Sequence, residues 1–494
     1  MTYRWTLAAP ALVVAVVAPG ICHGQAPATR RLDLHQLWDQ VQSRFPGLRA
    51  ARHAVRAAHY TLDEQKWLAL PSGEINTFLS WSPSIRCMTP AELDLNVGGN
   101  PLVAGRAQPQ PVGGSQHCLS TTVSLNLLQD NLANYLPNFG ALLRIDARVV
   151  QPIFTFGKLW AAIDLGRVGL DIARANEEVA RMDLAMHVVR AYFGLKTARA
   201  ALDTVREGRE QITKWIERID RDLEQGKGSY TEIDLMRLKV ADSQVEMAEL
   251  DLKRTIEATL RAVRYLAQDE TVDVDEANLE VFADETRDLD YYLDMALVRR
   301  PDLKVLEATG RGALAFRKLR IAELLPDLAF LGTFSFGLAQ GVTDEPFNAF
   351  MNRLNYLGAS AGLVLRWNLD FGPRVARLQR ALADVAQFQA RRVELLGGAA
   401  LEVQRTFLDL REARQRLAAA EIAERRARGW LQGIKQNIDV GTAESRDMID
   451  ALRSYFDQHL LVLRTINDVN VQAATLRRLV GMEVIPPHGE QRTR

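Results

Sequence analysis

The sequence predicts a mainly α fold with a small β part, built from two copies of one unit: helix, two strands, very long helix, helix. Three observations predict it. Motifs recur in one order along most of the chain. Short segments of period-two alternation precede long segments of three-four apolar spacing. The long segments exceed what most compact globular domains use.

The duplication has two blocks. Phe45-Pro46-Gly47-Leu48 matches Arg300-Pro301-Asp302-Leu303, and Leu70-Pro71 matches Leu325-Pro326 at the same spacing. At a shorter spacing, Phe154-Thr155-Phe156-Gly157 matches Leu369-Asp370-Phe371-Gly372, Ala191-Tyr192-Phe193-Gly194-Leu195 falls on Thr406-Phe407-Leu408-Asp409-Leu410, and Gly226 falls on Gly441. After a one-residue slip, Thr259-Leu260-Arg261 falls on Thr475-Leu476-Arg477. The change of spacing places extra residues in the first copy, around 82–143.

Residues 1–26 read as a signal peptide, with Arg4, a short apolar run from Leu7 to Ala18 and small residues before a cleavage point after Ala26. The competing reading is a lipoprotein acylated on Cys22, against which stands the bulky Ile21 before it. No later stretch is long and apolar enough to be a transmembrane helix.

The first repeat covers 27–268. Its opening helix, 33–70, is expected to stop at Pro71, as its counterpart 288–325 stops at Pro326. Paired strands follow: 74–82 and 142–150 in the first copy, 328–338 and 357–368 in the second. Leu328, Phe330, Phe334, Phe336 and Leu338 alternate with small or polar residues; 74–82 is weaker because Phe78 breaks its pattern. Lengths near ten residues suit a tilted membrane strand, although a surface sheet on a soluble core has the same period.

Within the 82–143 insert lie Cys87 and Cys118, a candidate disulfide in an exported chain; a zinc pair with His117 is the alternative. Long helices follow at 157–225 and 372–440, each roughly 100 Å as a single helix, then last helices at 229–268 and 444–481. The shorter helices of one copy, stacked end to end, come to about 115 Å, so a long helix can lie beside two short ones. Val179, Met182, Met186, Val189 and Phe193 form a three-four stripe with a second beside it, as a ring of helices needs; a buried helix in an ordinary bundle gives a wide stripe too. The acidic segment 269–287 joins the copies, the second repeat covers 288–484, and 485–494 is expected to be a disordered tail.

Composition narrows the function. The 61 basic and 61 acidic residues lack the basic excess of a nucleic-acid binder. The eight histidines are scattered, no phosphate-binding glycine loop occurs, and no cysteine–histidine metal spacing occurs. No enzyme, cofactor or metal is expected. Four strands cannot close a water-holding barrel, and an open edge in lipid is costly, so several chains must share one. Two chains give eight strands, whose interior fills; three or more leave a pore.

The chain resembles the TolC family of outer-membrane efflux proteins. The residues that carry the likeness are Ala296 to Leu303 (ALVRRPDL), Val150 to Gly157 (VQPIFTFG) with Ala191-Tyr192-Phe193 behind it, and Val440-Gly441-Thr442 followed by Asp447 and Asp450. The resemblance spans roughly 33–481. It implies a homotrimer with a twelve-stranded outer-membrane barrel continuous with a periplasmic α-helical barrel. It also implies a periplasmic adaptor and an inner-membrane transporter as partners, in tripartite efflux or type I secretion. Gly226, Val440, Gly441 and Thr442 match hairpin tips that dock the adaptor. Asp447 and Asp450 match a carboxylate ring at the periplasmic entrance; without the resemblance they read as solvated helix-start acids. The segment 269–287 matches the family's equatorial wrap, and 82–143 should face outside the cell. Ile438 and Ala443 stand where the family's best-known form has its Tyr and Arg latch, so that latch does not carry over. Glu232 is a candidate contributor of entrance charge. The rival reading is a periplasmic coiled-coil scaffold or adaptor that never enters a membrane.

Overall fold

The computed structural model describes residues 30–83, 87–88, 117–118, 139–225, 231–276, 278–281, 287–340, 355–439 and 445–486. In chain order the first copy contains β1 (Arg30–Leu32), α1 (Leu34–Arg44), α2 (Pro46–Trp67), β2 (Ser72–Pro83), β3 (Cys87–Met88), β4 (His117–Cys118), β5 (Phe139–Phe154), α3 (Lys158–Glu224) and α4 (Glu232–Ala267). After β6 (Val272–Val274) the second copy contains α5 (Leu289–Arg299), α6 (Pro301–Ala322), β7 (Asp327–Ala339), β8 (Tyr356–Arg366), α7 (Phe371–Asp439) and α8 (Ser445–Leu479). The predicted order of elements holds throughout.

Two details depart from the sequence reading. Each opening helix is two helices, broken at the proline that marks the repeat. Proline lacks an N–H for the upstream helix, tolerates the first helical position, and drives its predecessor extended. Phe45 and Arg300 accordingly have ψ of 123° and 120°. The acidic inter-repeat segment also contains a strand: β6 pairs in parallel with β1, Leu32 opposite Val274.

The chain divides into two compact units that cut across the copies. The first comprises Met1–Leu48, Arg181–Tyr292 and Val403–Arg494; the second comprises Arg49–Ala180 and Leu293–Glu402.

In the second unit the strands form one antiparallel sheet of order β2-β5-β7-β8. Its helices pack in two pairs. Leu62 of α2 meets Ile163 and Leu170 of α3, and Leu303 and Leu306 of α6 meet Ala399 of α7. A glycine allows the close approach in each: a Cβ on Gly166 would lie 3.1 Å from Leu62 Cδ1, and one on Gly310 would lie 2.5 Å from the Phe388 ring.

In the first unit α1 is fixed by a capping box between Asp33 and Gln36. It buries Leu34, Leu37, Trp38 and Val41 with β1, β6 and the Val188–Leu195 stretch of α3. Below this core the helices read as coiled-coil seams. On α3, Leu195, Ala198, Leu202, Val205, Ile212 and Ile219 are buried, and Arg209 and Ile216 fill the two gaps in an alternating three-four register. On α7 the register runs Val403, Thr406, Leu410, Ala413, Leu417, Ala420, Glu424, Ala427 and Leu431. On α8 it runs Met448, Leu452, Tyr455, His459, Val462, Ile466 and Val469. The hairpin ends share one cluster, with Ile219, Leu235, Leu431 and Met448 among its members. Burying each large aliphatic side chain contributes about 1.5–3 kcal/mol, which stabilises helices too long to rely on propensity.

Candidate functional site

Opposed residues of an antiparallel ladder share a face, so register sorts the sheet. On one face lie Ile75, Leu79 and Trp81 of β2, Leu143, Ile145 and Val149 of β5, the Phe330, Phe334, Phe336 and Leu338 row of β7, and Leu357, Leu363 and Leu365 of β8. On the other lie Glu74, Asn76, Arg144, Asp146, Arg148, Thr333, Ser335 and Ser360. Polar side chains there bond to one another: Arg144 Nε donates to Asp146 at 2.6 Å, and Ser335 Oγ donates to it at 2.9 Å. Thr333 and Ser360 hydroxyls meet at 2.6 Å. Phe78, the residue that spoiled the pattern of β2, lies on the polar side opposite Arg144.

The apolar face is bare. Trp81 is 78% exposed, Leu357 70% and Leu363 67%. Register makes these side chains neighbours across four strands, unlike the singly scattered exposed apolar residues of an ordinary soluble surface. Exposed aromatics crowd the chain where the strands meet the helices: Trp67 before β2, Phe154 at the end of β5 with Phe156 and Trp160 after it, Trp367 and Phe371 after β8. This belt went unread in the sequence; the signal was the clustering of aromatics at strand ends, which membrane interfaces favour. Among the described residues no helix is long and apolar enough to cross a membrane.

Lys158, at the start of α3, donates to the Leu325 carbonyl at 2.9 Å and meets Asp327 at 2.7 Å. That contact ties the first copy's long helix to the second copy's first strand. A cavity of about 380 Å³ opens beside it, lined by Arg148, Pro152, Lys158, Asp327 and Arg366 among others.

Asp447 stands in the first turn of α8 and Asp450 one turn on, both exposed, while Met448 between them and Ala451 just after them are buried. Three-residue spacing on a helix thus puts both carboxylates on one solvent face. Glu232, the first residue of α4, is exposed as well. Gly226, Val440, Gly441, Thr442 and Ala443 lie outside the described residues, as do Cys22 and the side chain of Ile438. Cys87 and Cys118 are paired Cα to Cα in the β3–β4 ladder. Among the described residues no group of His, Cys, Asp and Glu could hold a metal.

A sheet with one bare apolar face and one hydrogen-bonded polar face, in a chain whose long helices form paired coiled-coil hairpins, fits an outer-membrane channel. The chain belongs to the outer membrane efflux protein family, whose profile matches residues 144–263 and 292–482. It is an efflux duct of the outer membrane, and its family is one of channels. Its fold is similar to that of the outer-membrane channel OprN, at 17% identity and a TM-score of 0.71, over 92% of this chain and 91% of that one. VceC of Vibrio cholerae is similar at 14% identity and 0.68, over 92% and 97%. The MtrE channel of Neisseria gonorrhoeae in its open state is similar at 15% identity and 0.67, over 91% and 89%. Comparison of the sequence with curated proteins gives no match.

Proposed function

We propose that three copies of this chain share one twelve-stranded barrel in the outer membrane and one helical barrel in the periplasm. The duct conducts passively, without chemistry of its own, what an inner-membrane transporter and a periplasmic adaptor deliver in tripartite efflux or type I secretion. The observation that carries this reading is the bare apolar face across all four strands: lipid covers that face, and the polar face lines water. Gly226 and Val440-Gly441-Thr442 form the tips that meet the adaptor. Asp447 and Asp450, repeated by symmetry, form an acidic ring at the entrance that favours cations. The opposed backbone positions of Cys87 and Cys118 support a disulfide between them.

Single-channel conductance of the detergent-extracted protein tests this, alone and with Asp447→Asn and Asp450→Asn together. Cation-favouring openings that lose selectivity in the double variant support duct and ring. Unchanged openings keep the duct and discard the ring. A protein that stays soluble without detergent and never conducts returns the scaffold reading.

A further inference from the structure

The two hairpin seams carry different polar locks at the equivalent position. By the spacing that sets Gly226 on Gly441, Arg209 falls on Glu424. In the first copy Arg209 reaches across from α3 to three carboxylates of α4: Asp242 at 3.3 Å, Glu246 at 2.9 Å and Glu249 at 3.1 Å. In the second copy the partner of Glu424 is His459 on α8, Nδ1 to Oε1 at 3.0 Å. Arg428 donates to the same Glu424 oxygen at 2.8 Å and to the Tyr455 hydroxyl at 3.4 Å, and Tyr455 stacks on His459. Glu424 sits in the seam between Ala420 and Ala427, both buried.

We infer that His459 and Glu424 are positioning residues whose contact sets the α7–α8 register and tightens when His459 gains a proton. A polar residue at one seam position fixes the register of a coiled coil at some cost in stability. Arginine is charged at every working pH, so the first copy's lock does not change. Imidazole changes charge between about pH 5 and 8. Protonation turns a contact between neutral imidazole and carboxylate into an ion pair, so the second hairpin is held more firmly at the acidic end. The groups facing His459 are Glu424 and Arg428 from α7 and Tyr455 from its own helix. The nearby α3 contact, Gly208 against the Phe456 ring, is uncharged. Asp447 lies twelve residues from His459 along α8, about 18 Å. A firmer α8 would hold Asp447 and Asp450 more rigidly, which matters to the channel only on the proposal that they line its entrance.

Hydrogen exchange of the full chain in detergent at about pH 5.5 and about pH 8 tests the inference, corrected for intrinsic rates with the α3–α4 hairpin as internal reference. Protection of α7–α8 should rise about fivefold toward acid, as an ion pair replaces a bond in which only the carboxylate is charged. His459→Gln should abolish the step while keeping a donor. His459→Arg, imitating the first copy, should hold high protection at both pH values. A step that persists in His459→Gln, or appears equally in α3–α4, overturns the inference. Conductance indifferent to Asp447→Asn and Asp450→Asn would overturn the entrance reading and leave this step in place.

Discussion

At the scale of single residues, Tyr192 shows how a strap is fastened. Its hydroxyl donates to Asp275 at 2.6 Å, and Lys196, almost wholly buried, reaches the same carboxylate at 3.3 Å. Arg199 adds a 2.6 Å pair with Asp273. Burial, and then the bond to Asp275, push the Tyr192 phenol above its ordinary range, so it stays a neutral donor. Stability from a raised phenol is present below the unfolded value near 10 and is lost only above it. At the other end of the strap, the Thr271 hydroxyl and amide, with Arg44 and Gln40, hold Asp269 below the usual carboxylate range. That contribution is present above about pH 3.9 and lost as pH falls through the lowered value. Tyr192→Phe should therefore loosen β6 by about 1–2 kcal/mol and speed proteolysis within 269–290 at neutral pH. An unchanged cleavage rate would show that Lys196 alone holds Asp275. The sequence marked Tyr192 through its repeat motif, yet its partner lies 83 residues away in a stretch that reads as solvated acidic linker.

Among the elements, the strands were legible because period two survives in three of the four and register explains the fourth. Proline-split helices were harder to read, because a proline at a first helical position leaves the apolar pattern on either side intact. The pairing of β1 with β6 was invisible: three residues carry no period, and the partners are far apart in sequence. Of the site, Asp447 and Asp450 were named through resemblance, whereas the His459–Glu424 pair needed the packed seam to expose it. The sheet faces give a sharp test. Phe334 and Phe336 lie on the apolar face, Thr333 and Ser335 on the polar one. Basic charges at mid-bilayer on a barrel's lipid face cost about 2–4 kcal/mol each, acidic ones less. Phe334→Asp with Phe336→Asp should abolish recovery of the protein in the outer-membrane fraction. Thr333→Asp, one residue away, should leave it there. Equal recovery of both would mean that the apolar face meets something other than lipid.

For the whole molecule, the deciding fact is that the sheet stops. Within one chain β2 and β8 each pair on one side only, so both outer edges present unbonded backbone among the described residues. Hydrocarbon offers those groups no partner, and each one left unpaired costs several kcal/mol. The duplication does not close the sheet: the copies join through β5 and β7, giving four strands rather than two pairs of two. Joining β8 of one chain to β2 of the next satisfies both edges, and only a closed ring satisfies them all. Eight strands would enclose an interior filled by side chains, with Arg144, Asp146 and Arg148 crowded inward. Twelve leave room for water around them. The detergent-extracted protein should accordingly have, after subtraction of bound detergent, a mass about three times that of the single chain by light scattering. Dilution should not lower it while the barrel is intact, because separating two chains exposes two edges at once. A mass of two chains would require a filled barrel and would end the reading of this protein as an open duct, whatever its helices do.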